Sequence, residues 1–151
     1  MGQDYLIFMI QNDTKQKIGI LQNYLSKVIS YTVLPIEELT NNFEKLSTLE
    51  RLFILMADEA FDINSALSYQ LGNKISESNK STFYEIADLK IITQEFADKI
   101  SQSAKVRNNL VHNYENVQKK AMVEDMRKFV ELYTEYVSIL IEKFVKNDST
   151  E

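Results

Sequence analysis

The residues that could carry out chemistry gather between positions 107 and 114 of this chain. Arg107, Asn108, His112 and Tyr114 supply a permanent cation, an amide, an imidazole and a phenol. On an α-helix successive residues advance by about 100°, so these four side chains fall within one arc of roughly 160°. The spacing therefore predicts a single helical face that presents all four groups.

That set of groups suits cleavage of RNA without a metal ion. An imidazole can take the proton of a 2′-hydroxyl, and a guanidinium offers forked donors to the charge that grows on the phosphorane. Such cleavage leaves a 2′,3′-cyclic phosphate and needs an acid as well as a base. His112 is the only histidine in the chain, and one imidazole does not easily serve as both. A two-fold dimer that apposes two copies of the segment supplies the second imidazole, so the histidine count predicts a homodimer.

A structural role explains the same residues without catalysis. A lone histidine on a helix is more often packed or hydrogen-bonded than catalytic, and an arginine is more often solvated or paired with a carboxylate. Lysines flanking the segment would attract RNA phosphates, although exposed lysines are common. These flanking residues are Lys99, Lys105, Lys119 and Lys120. Spacing alone therefore leaves the choice between a nuclease and a plain helical adaptor open.

A second polar cluster lies upstream, where Asp58, Glu59 and Asp62 bring three carboxylates together. Asp58 and Asp62 are four residues apart and share one face of a helix. Because no second set of ligands accompanies them, the cluster predicts a solvated acidic face and no metal site. The chain also contains no Walker motif, no G-x-G-x-x-G and no H-E-x-x-H. Those nucleotide- and metal-dependent enzyme classes are therefore excluded, and no cofactor is expected.

The composition favours long helices within one domain that spans residues 1–151. Only three glycines and one proline occur among 151 residues, whereas a β-sandwich or barrel would need frequent turns.

The composition also bears on location and partners. The absence of cysteine is compatible with a reducing compartment, so a cytoplasmic location is expected. The net charge of −5 argues against a protein that coats nucleic acid nonspecifically. No apolar run is long enough to cross a bilayer, so no membrane association is expected.

Apolar spacing and capping residues predict the helices that would position these groups. A stripe with steps of three and four runs from Ile18 to Ile29, and Pro35 ends or interrupts that helix before a short extra turn. Ser47-x-x-Glu50 predicts a capping box that opens a second helix, which Gly72-Asn73 would end. The polar stretch that follows, residues 73–80, is the best candidate for a loop.

Three further helices are predicted in the second half of the chain. Thr82-x-x-Glu85 has the form of a capping box for a short helix, and Thr93 is the expected cap of the next one. The clearest apolar stripe runs from Met122 to Phe144. Four main amphipathic helices joined by short connections are typical of a helical bundle.

The segment Arg107-Asn108-x-Leu110-Val111-His112-x-Tyr114 matches the R-N-x-L-V-H-x-Y signature of the HepT family of the HEPN superfamily at every position. The likeness extends upstream, in the order that this family shows. The matching stretches are Leu49-Glu50-Arg51-Leu52, Ala60-Phe61-Asp62-Ile63-Asn64, Phe83, Ile86-Ala87-Asp88 and Phe96-Ala97-Asp98-Lys99-Ile100. The chain therefore resembles a HepT-like protein over about residues 18–145.

That resemblance implies a specific fold and function. The expected fold is the HEPN domain, an all-α, up-down bundle of four main helices plus short ones, as a homodimer. The expected function is the toxin of a type VII-like toxin–antitoxin system, a metal-independent ribonuclease. Its implied partners are the RNA substrate and an MntA-like nucleotidyltransferase antitoxin, which neutralises the toxin by AMPylation of its signature tyrosine.

The resemblance also assigns roles to individual residues. Arg107 and His112 would be catalytic, with Asn108 beside them, and Tyr114 would be the AMPylation site. An acidic residue at the position of Asp62 faces the interior in this family, where it could orient His112 or pair with Arg107. This sequence departs from the common pattern at Asn113, where many relatives carry an acidic residue, and in an N-terminal extension through Thr14.

One further interpretation belongs to a different class of protein. The chain could be a noncatalytic helical dimer that serves as the partner or substrate-presenting subunit of a nucleotidyltransferase, with the signature used to hold nucleotide. The two hypotheses differ in whether substitution of His112 or Arg107 changes the cleavage of RNA.

Overall fold

A computed structural model of the chain describes residues 2–112 and 118–146, with side chains described from residue 12 onward. The described residues form seven helices, and no strand occurs among them. The helices are α1 Gly2–Thr32, α2 Ile36–Thr40, α3 Phe43–Gly72, α4 Asn79–Asp88, α5 Gln94–Ile100, α6 Ser103–His112 and α7 Lys119–Phe144. The all-α class expected from the scarcity of glycine and proline is confirmed.

Three long helices, α1, α3 and α7, form the frame of an up-down bundle. α1 packs against both α3 and α7, and α4 packs against α3. Arg127, near the start of α7, donates from Nε to the carbonyl of Thr32 at 2.9 Å and from Nη2 to that of Leu34 at 2.6 Å. The end of α1 therefore lies beside the beginning of α7, and these two helices run antiparallel. The guanidinium thus also provides a partner for the carbonyl of Thr32, the last residue of α1, which has none within the helix.

The core is apolar and rich in aromatic side chains. Phe53 of α3 and Phe129 of α7 meet edge to face, with ring centroids 6.3 Å apart. Phe83 of α4 makes similar contacts with Phe61 at 6.0 Å and with Tyr136 at 5.5 Å. Full burial of one large apolar side chain stabilises a fold by about 1.5–3 kcal/mol, so these rings hold α3, α4 and α7 together. No described helix combines the length and apolar character needed to cross a membrane.

The helix boundaries confirm several sequence predictions. α1 ends at Thr32, ahead of Pro35, and Pro35 directly precedes the short helix α2. Asn73 follows α3 in the left-handed conformation, with φ of 52°, as its predicted role in ending that helix requires. Thr93 accepts a hydrogen bond from the backbone N–H of Phe96 at 3.0 Å, so its predicted role as the cap of α5 is confirmed.

Two predicted capping boxes are wrong. α3 begins before Ser47, at Phe43, and its cap is Asn42, whose side chain accepts from the N–H of Lys45 at 3.0 Å. Glu50 is instead a buried residue within that helix. α4 begins before Thr82, since Ser78 and Ser81 form the capping box at its start. A pattern of S/T-x-x-E also occurs inside helices, where it has no capping function.

Candidate active site

The short helix α6 carries the predicted active segment on its outward side. α6 begins after a turn at Ser101–Gln102 and buries only Ser103, Ala104 and Leu110. Its other side bears half-buried Arg107 and exposed Asn108, Val111 and His112. The structure therefore brings Arg107, Asn108 and His112 together on one helix, accessible to solvent in a single chain. Tyr114, the fourth predicted group, lies outside the described residues.

Arg107 is oriented by a carboxylate from α3. Its Nε donates to Oδ1 of Asp58 at 2.8 Å, and its Nη2 donates to Oδ2 of the same residue at 3.3 Å. Its Nη1 lies 3.4 Å from the side-chain oxygen of Asn108. A guanidinium has five N–H donors, so these three contacts leave two donors for an incoming anion. Forked pairing fixes the plane of the guanidinium, which a single contact would leave free to rotate.

The Arg107–Asp58 pair is only partly shielded from water. The Arg107 side chain is 22% exposed and that of Asp58 is 39% exposed. A pair with this accessibility contributes about 1 kcal/mol or less to stability, so its main effect is on geometry. We call the surface formed by Asp58 of α3 and by Arg107, Val111 and His112 of α6 the α3–α6 face.

The carboxylate that reaches Arg107 is not the predicted one. Asp62 lies one turn further along α3, is exposed, and makes no hydrogen bond or ion pair with a described residue. The prediction that Asp62 faces the interior is therefore wrong for the single chain, and pairing with Arg107 belongs to Asp58. The sequence predicts that both carboxylates are solvated. Asp62 is exposed as predicted, whereas Asp58 is partly buried and paired with Arg107. Both residues project from the same side of α3, so helical spacing could not choose between them.

Glu59 completes the acidic cluster next to Asp58. Burial raises the pKa of the Glu59 carboxyl above its usual range, the positive charge of Lys17 on α1 opposes that rise, and Asp62 adds to it. No group of three or more metal-ligating side chains occurs in residues 2–112 or 118–146. The acidic cluster therefore affects the charge beside the α3–α6 face without forming a metal centre among those residues.

His112 is the last residue of α6 and projects into solvent. Among the described residues, no hydrogen bond or ion pair fixes its ring. The flanking lysines are all exposed, and two pair with acidic neighbours: Lys99 with Glu95 at 3.8 Å and Lys120 with Glu37 at 3.2 Å. The imidazole is thus exposed, and no described residue fixes its orientation.

The α3–α6 face lines neither of two large cavities found elsewhere on the chain. One cavity, of about 470 Å³, lies between α1 and α7 and includes Leu25 and Ile141. The other, of about 440 Å³, lies between the α4–α5 turn and α7 and includes Thr93 and Glu135. Arg107 and His112 therefore belong to neither of these two cavities.

A family model described as ribonuclease HepT-like matches residues 21–140. The chain belongs to the ribonuclease HepT-like family. The resemblance found in the signature segment is thereby confirmed, and the match covers the helices on which Asp58 and Arg107 lie. Among curated relatives of this HepT-like chain, the tRNA nuclease HepT of Aphanizomenon flos-aquae is 29% identical over 101 residues. Those residues are 67% of this chain and 69% of that protein.

Solved toxin–antitoxin structures share the fold of this HepT-like chain. A tri-AMPylated Shewanella oneidensis HEPN toxin in complex with MNT antitoxin has a TM-score of 0.77 at 16% identity, and the alignment covers 86% of this chain and 97% of that one. A toxin–antitoxin structure with AMP-PNP has a TM-score of 0.66 at 17% identity, covering 84% and 96%. A mutant MntA–HpeT toxin–antitoxin structure has a TM-score of 0.61 at 17% identity, covering 91% and 98%. The predicted HEPN bundle is confirmed.

Sequence reasoning missed two features of this HepT-like site. The pairing of Asp58 with Arg107 joins residues 49 positions apart, and no local pattern indicates it. A hydrogen bond between Ser103, at the start of α6, and Tyr133 of α7 was also not anticipated. Tyr133 was predicted as part of the apolar stripe of α7, and its hydroxyl gave no separate signal.

Proposed function

We propose that this chain is the toxin component of a type VII-like toxin–antitoxin system and acts as a metal-independent endoribonuclease. The observation that carries the proposal is the placement of Arg107, oriented by Asp58, on the same exposed face as the single histidine, His112. Membership of the ribonuclease HepT-like family supports it. The curated relative is named a tRNA nuclease, so we propose transfer RNA as the substrate class.

In the proposed reaction, the His112 imidazole of one copy takes the proton of a ribose 2′-hydroxyl. The 2′-oxygen forms a bond to phosphorus while the bond from phosphorus to the 5′-oxygen breaks. The leaving 5′-oxygen receives a proton from the protonated His112 of a second copy, so the products are a 2′,3′-cyclic phosphate and a 5′-hydroxyl. The two remaining N–H donors of Arg107 bind the non-bridging oxygens, where negative charge grows in the transition state.

A second copy of the chain is part of this proposal because each chain has one imidazole. The α3–α6 face supports it, since His112 and Val111 are exposed there and Val111 is 43% exposed. An isologous contact across a two-fold axis would bury Val111 and bring both His112 rings into one cleft. The same contact would fix the orientation of the imidazole, which no described residue holds in the single chain.

We further propose that Tyr114 is the site at which an MntA-like nucleotidyltransferase silences the toxin. The support is the match to the tyrosine of the family signature, together with the tri-AMPylated state of the Shewanella oneidensis HEPN toxin. Tyr114 follows His112 by two residues, so added nucleotides would lie close to the imidazole. Each AMP unit adds a phosphate charge and a nucleoside, which would exclude RNA by repulsion and by volume.

An RNA-cleavage assay separates this proposal from a noncatalytic partner subunit. His112→Ala and Arg107→Ala should each lower the cleavage rate of transfer RNA by at least about 100-fold, because an acid–base group or a charge-stabilising donor is lost. Lys128→Ala, at an exposed position on α7, is the matched control and should cleave as the wild type does. If wild type and both variants leave RNA equally intact, the nuclease proposal is wrong and the noncatalytic subunit is favoured.

Intact-mass measurement tests the regulatory part. Coexpression with the nucleotidyltransferase should add the mass of one or more AMP units to the wild type and none to Tyr114→Phe. Tyr84→Phe is the control, because Tyr84 lies on α4 and its hydroxyl donates to Asp98 at 2.8 Å. Equal AMP addition to wild type and Tyr114→Phe would contradict the assignment of the modified residue.

A further inference from the structure

The start of α6 is attached to the bundle through one buried hydroxyl. The Ser103 hydroxyl donates to the carbonyl of Ile100, the last residue of α5, at 2.7 Å. The same oxygen lies 2.9 Å from the hydroxyl of Tyr133 on α7. Both Ser103 and Tyr133 are fully buried. A single serine side chain thus joins the end of α5, the start of α6 and the middle of α7.

The direction of these hydrogen bonds follows from the number of protons. Ser103 has one hydroxyl proton, which it gives to the Ile100 carbonyl, so Tyr133 is the donor in the second bond. Burial raises the pKa of Tyr133 well above its usual range, the hydrogen bond with Ser103 opposes that rise, and the nearby negative charge of Asp58 adds to it. The phenol therefore keeps its proton at any physiological pH. The phenol can therefore donate to Ser103 throughout that pH range.

α6 packs on the bundle through a small surface, to which partly buried Val106 also belongs. Within the described residues it buries only three side chains, Ser103, Ala104 and Leu110. Arg107 lies four residues after Ser103, which is about one turn or 6 Å along the axis, and contacts Asp58 of α3. The helix is thus held by polar contacts at two levels, to α7 at its first residue and to α3 one turn later.

We propose that Tyr133 and Ser103 are positioning residues for the catalytic helix, and that their hydrogen bond sets the rotation of α6 at which Arg107 and His112 face the substrate. This inference rests on the proposed nuclease function. A guanidinium extends about 6–7 Å from its helix axis, so a rotation of about 10° displaces it by about 1 Å. A displacement of about 1 Å at a reacting centre can lower a rate by about 100-fold.

The test compares two tyrosines of the same helix. Tyr133→Phe removes the donor to Ser103, whereas Tyr136→Phe removes the hydroxyl that donates to the side chain of Asn64 on α3. Both tyrosines are fully buried, so the two substitutions should lower Tm to a similar extent. Of these two hydroxyls, that of Tyr133 bonds to a residue of α6 and that of Tyr136 bonds to residues of α3. We expect Tyr133→Phe and Ser103→Ala to lower kcat for RNA cleavage by at least about 10-fold, while Tyr136→Phe stays within about 3-fold of wild type.

Two results would overturn the inference. One is a Tyr133→Phe protein that cleaves RNA as fast as Tyr136→Phe. The other is a loss of activity that is proportional to the fall in Tm in both Tyr133→Phe and Tyr136→Phe. That result would indicate general destabilisation of the fold. The double variant Ser103→Ala/Tyr133→Phe should be no slower than the slower single variant, because both changes break the same bond.

A second readout does not depend on nuclease activity. Amide hydrogen exchange in residues 106–111 should be faster in Tyr133→Phe than in Tyr136→Phe, because α6 loses its attachment to α7 only in the first variant. If wild type fails to cleave RNA, the proposed function is wrong, and the exchange measurement still decides the inference. Equal exchange rates for α6 in the two variants would reject it.

Discussion

At the scale of single residues, Asp58 explains how an arginine on a short exposed helix keeps one orientation. The forked contact uses Nε and Nη2 of Arg107, and Asn108 is close to Nη1. Since the pair is partly exposed, its removal should affect the direction of the guanidinium more than the stability of the fold. Asp58 thus acts through Arg107 and need not touch the RNA.

Substitution of Asp58 tests that role. Asp58→Asn should lower kcat for RNA cleavage by about 10-fold, because the neutral amide no longer holds both guanidinium nitrogens. The free energy of unfolding, measured by urea denaturation, should fall by less than about 1 kcal/mol. Asp13→Asn, at an exposed position on α1, removes the same charge elsewhere and serves as the control.

Asp62→Asn adds a comparison between the two carboxylates on that side of α3. It should have a smaller effect on kcat than Asp58→Asn, because Asp62 is exposed and Asp58 is the residue that contacts Arg107. A larger effect from Asp62→Asn would mean that the pairing in the active assembly differs from that of the single chain. The prediction of a supporting role for Asp62 would then be favoured again.

At the scale of helices, the start of α3 matters because this helix carries Asp58. Asn42 accepts a hydrogen bond from the N–H of Lys45, which would otherwise have no partner within the helix. Asn42→Ala should therefore lower the free energy of unfolding by about 1 kcal/mol, measured by urea denaturation. Ser47→Ala, at the position where the sequence predicts a cap, should change it by less than half as much. Equal losses would show that Asn42 does not cap α3.

The helices differ in how well their positions and boundaries can be predicted from the sequence. α7 was predicted from its apolar stripe, and α5 from Thr93, because periodic burial and a side-chain cap are both local signals. The start of α3 was misplaced because Ser47-x-x-Glu50 has the form of a cap but lies inside the helix. The true cap follows the short helix α2 directly, and the length of α2 could not be read from its residues alone.

The positions of the residues in the candidate active segment could be predicted more completely than the contacts that support it. Arg107, Asn108 and His112 lie within six residues, so helical spacing alone places them near one another. The contacts of α6 with Asp58 and Tyr133 depend on how α3 and α7 pack around it. Such long-range contacts follow from the tertiary arrangement and have no periodic signature in the sequence.

At the scale of the whole molecule, the proposed activity depends on association. Val111 is 43% exposed on the α3–α6 face, one turn after Arg107. Val111→Asp would place a charge in the proposed contact between two copies, where it could not be solvated. We expect the variant to sediment as a monomer and to lose RNA cleavage at least about 100-fold, because each chain would then have a single imidazole.

Val33→Asp is the matched control for that experiment. Val33 is 72% exposed and lies directly after the end of α1, outside the α3–α6 face. The control should keep both the sedimentation of the wild type and its cleavage rate. A Val111→Asp protein that remains dimeric, or a monomer that cleaves RNA normally, would contradict the proposed shared cleft.

The exposed position of a single histidine at the end of α6 has a consequence for dosage in the cell. If every cut needs two chains, the number of active sites at low abundance grows with the square of the amount of free protein. A low level of unneutralised protein would then cause almost no RNA cleavage, whereas a modest rise in the concentration of free chains would increase cleavage steeply. One imidazole per chain would thus by itself set a threshold concentration of toxin for RNA cleavage, independently of any inhibitor.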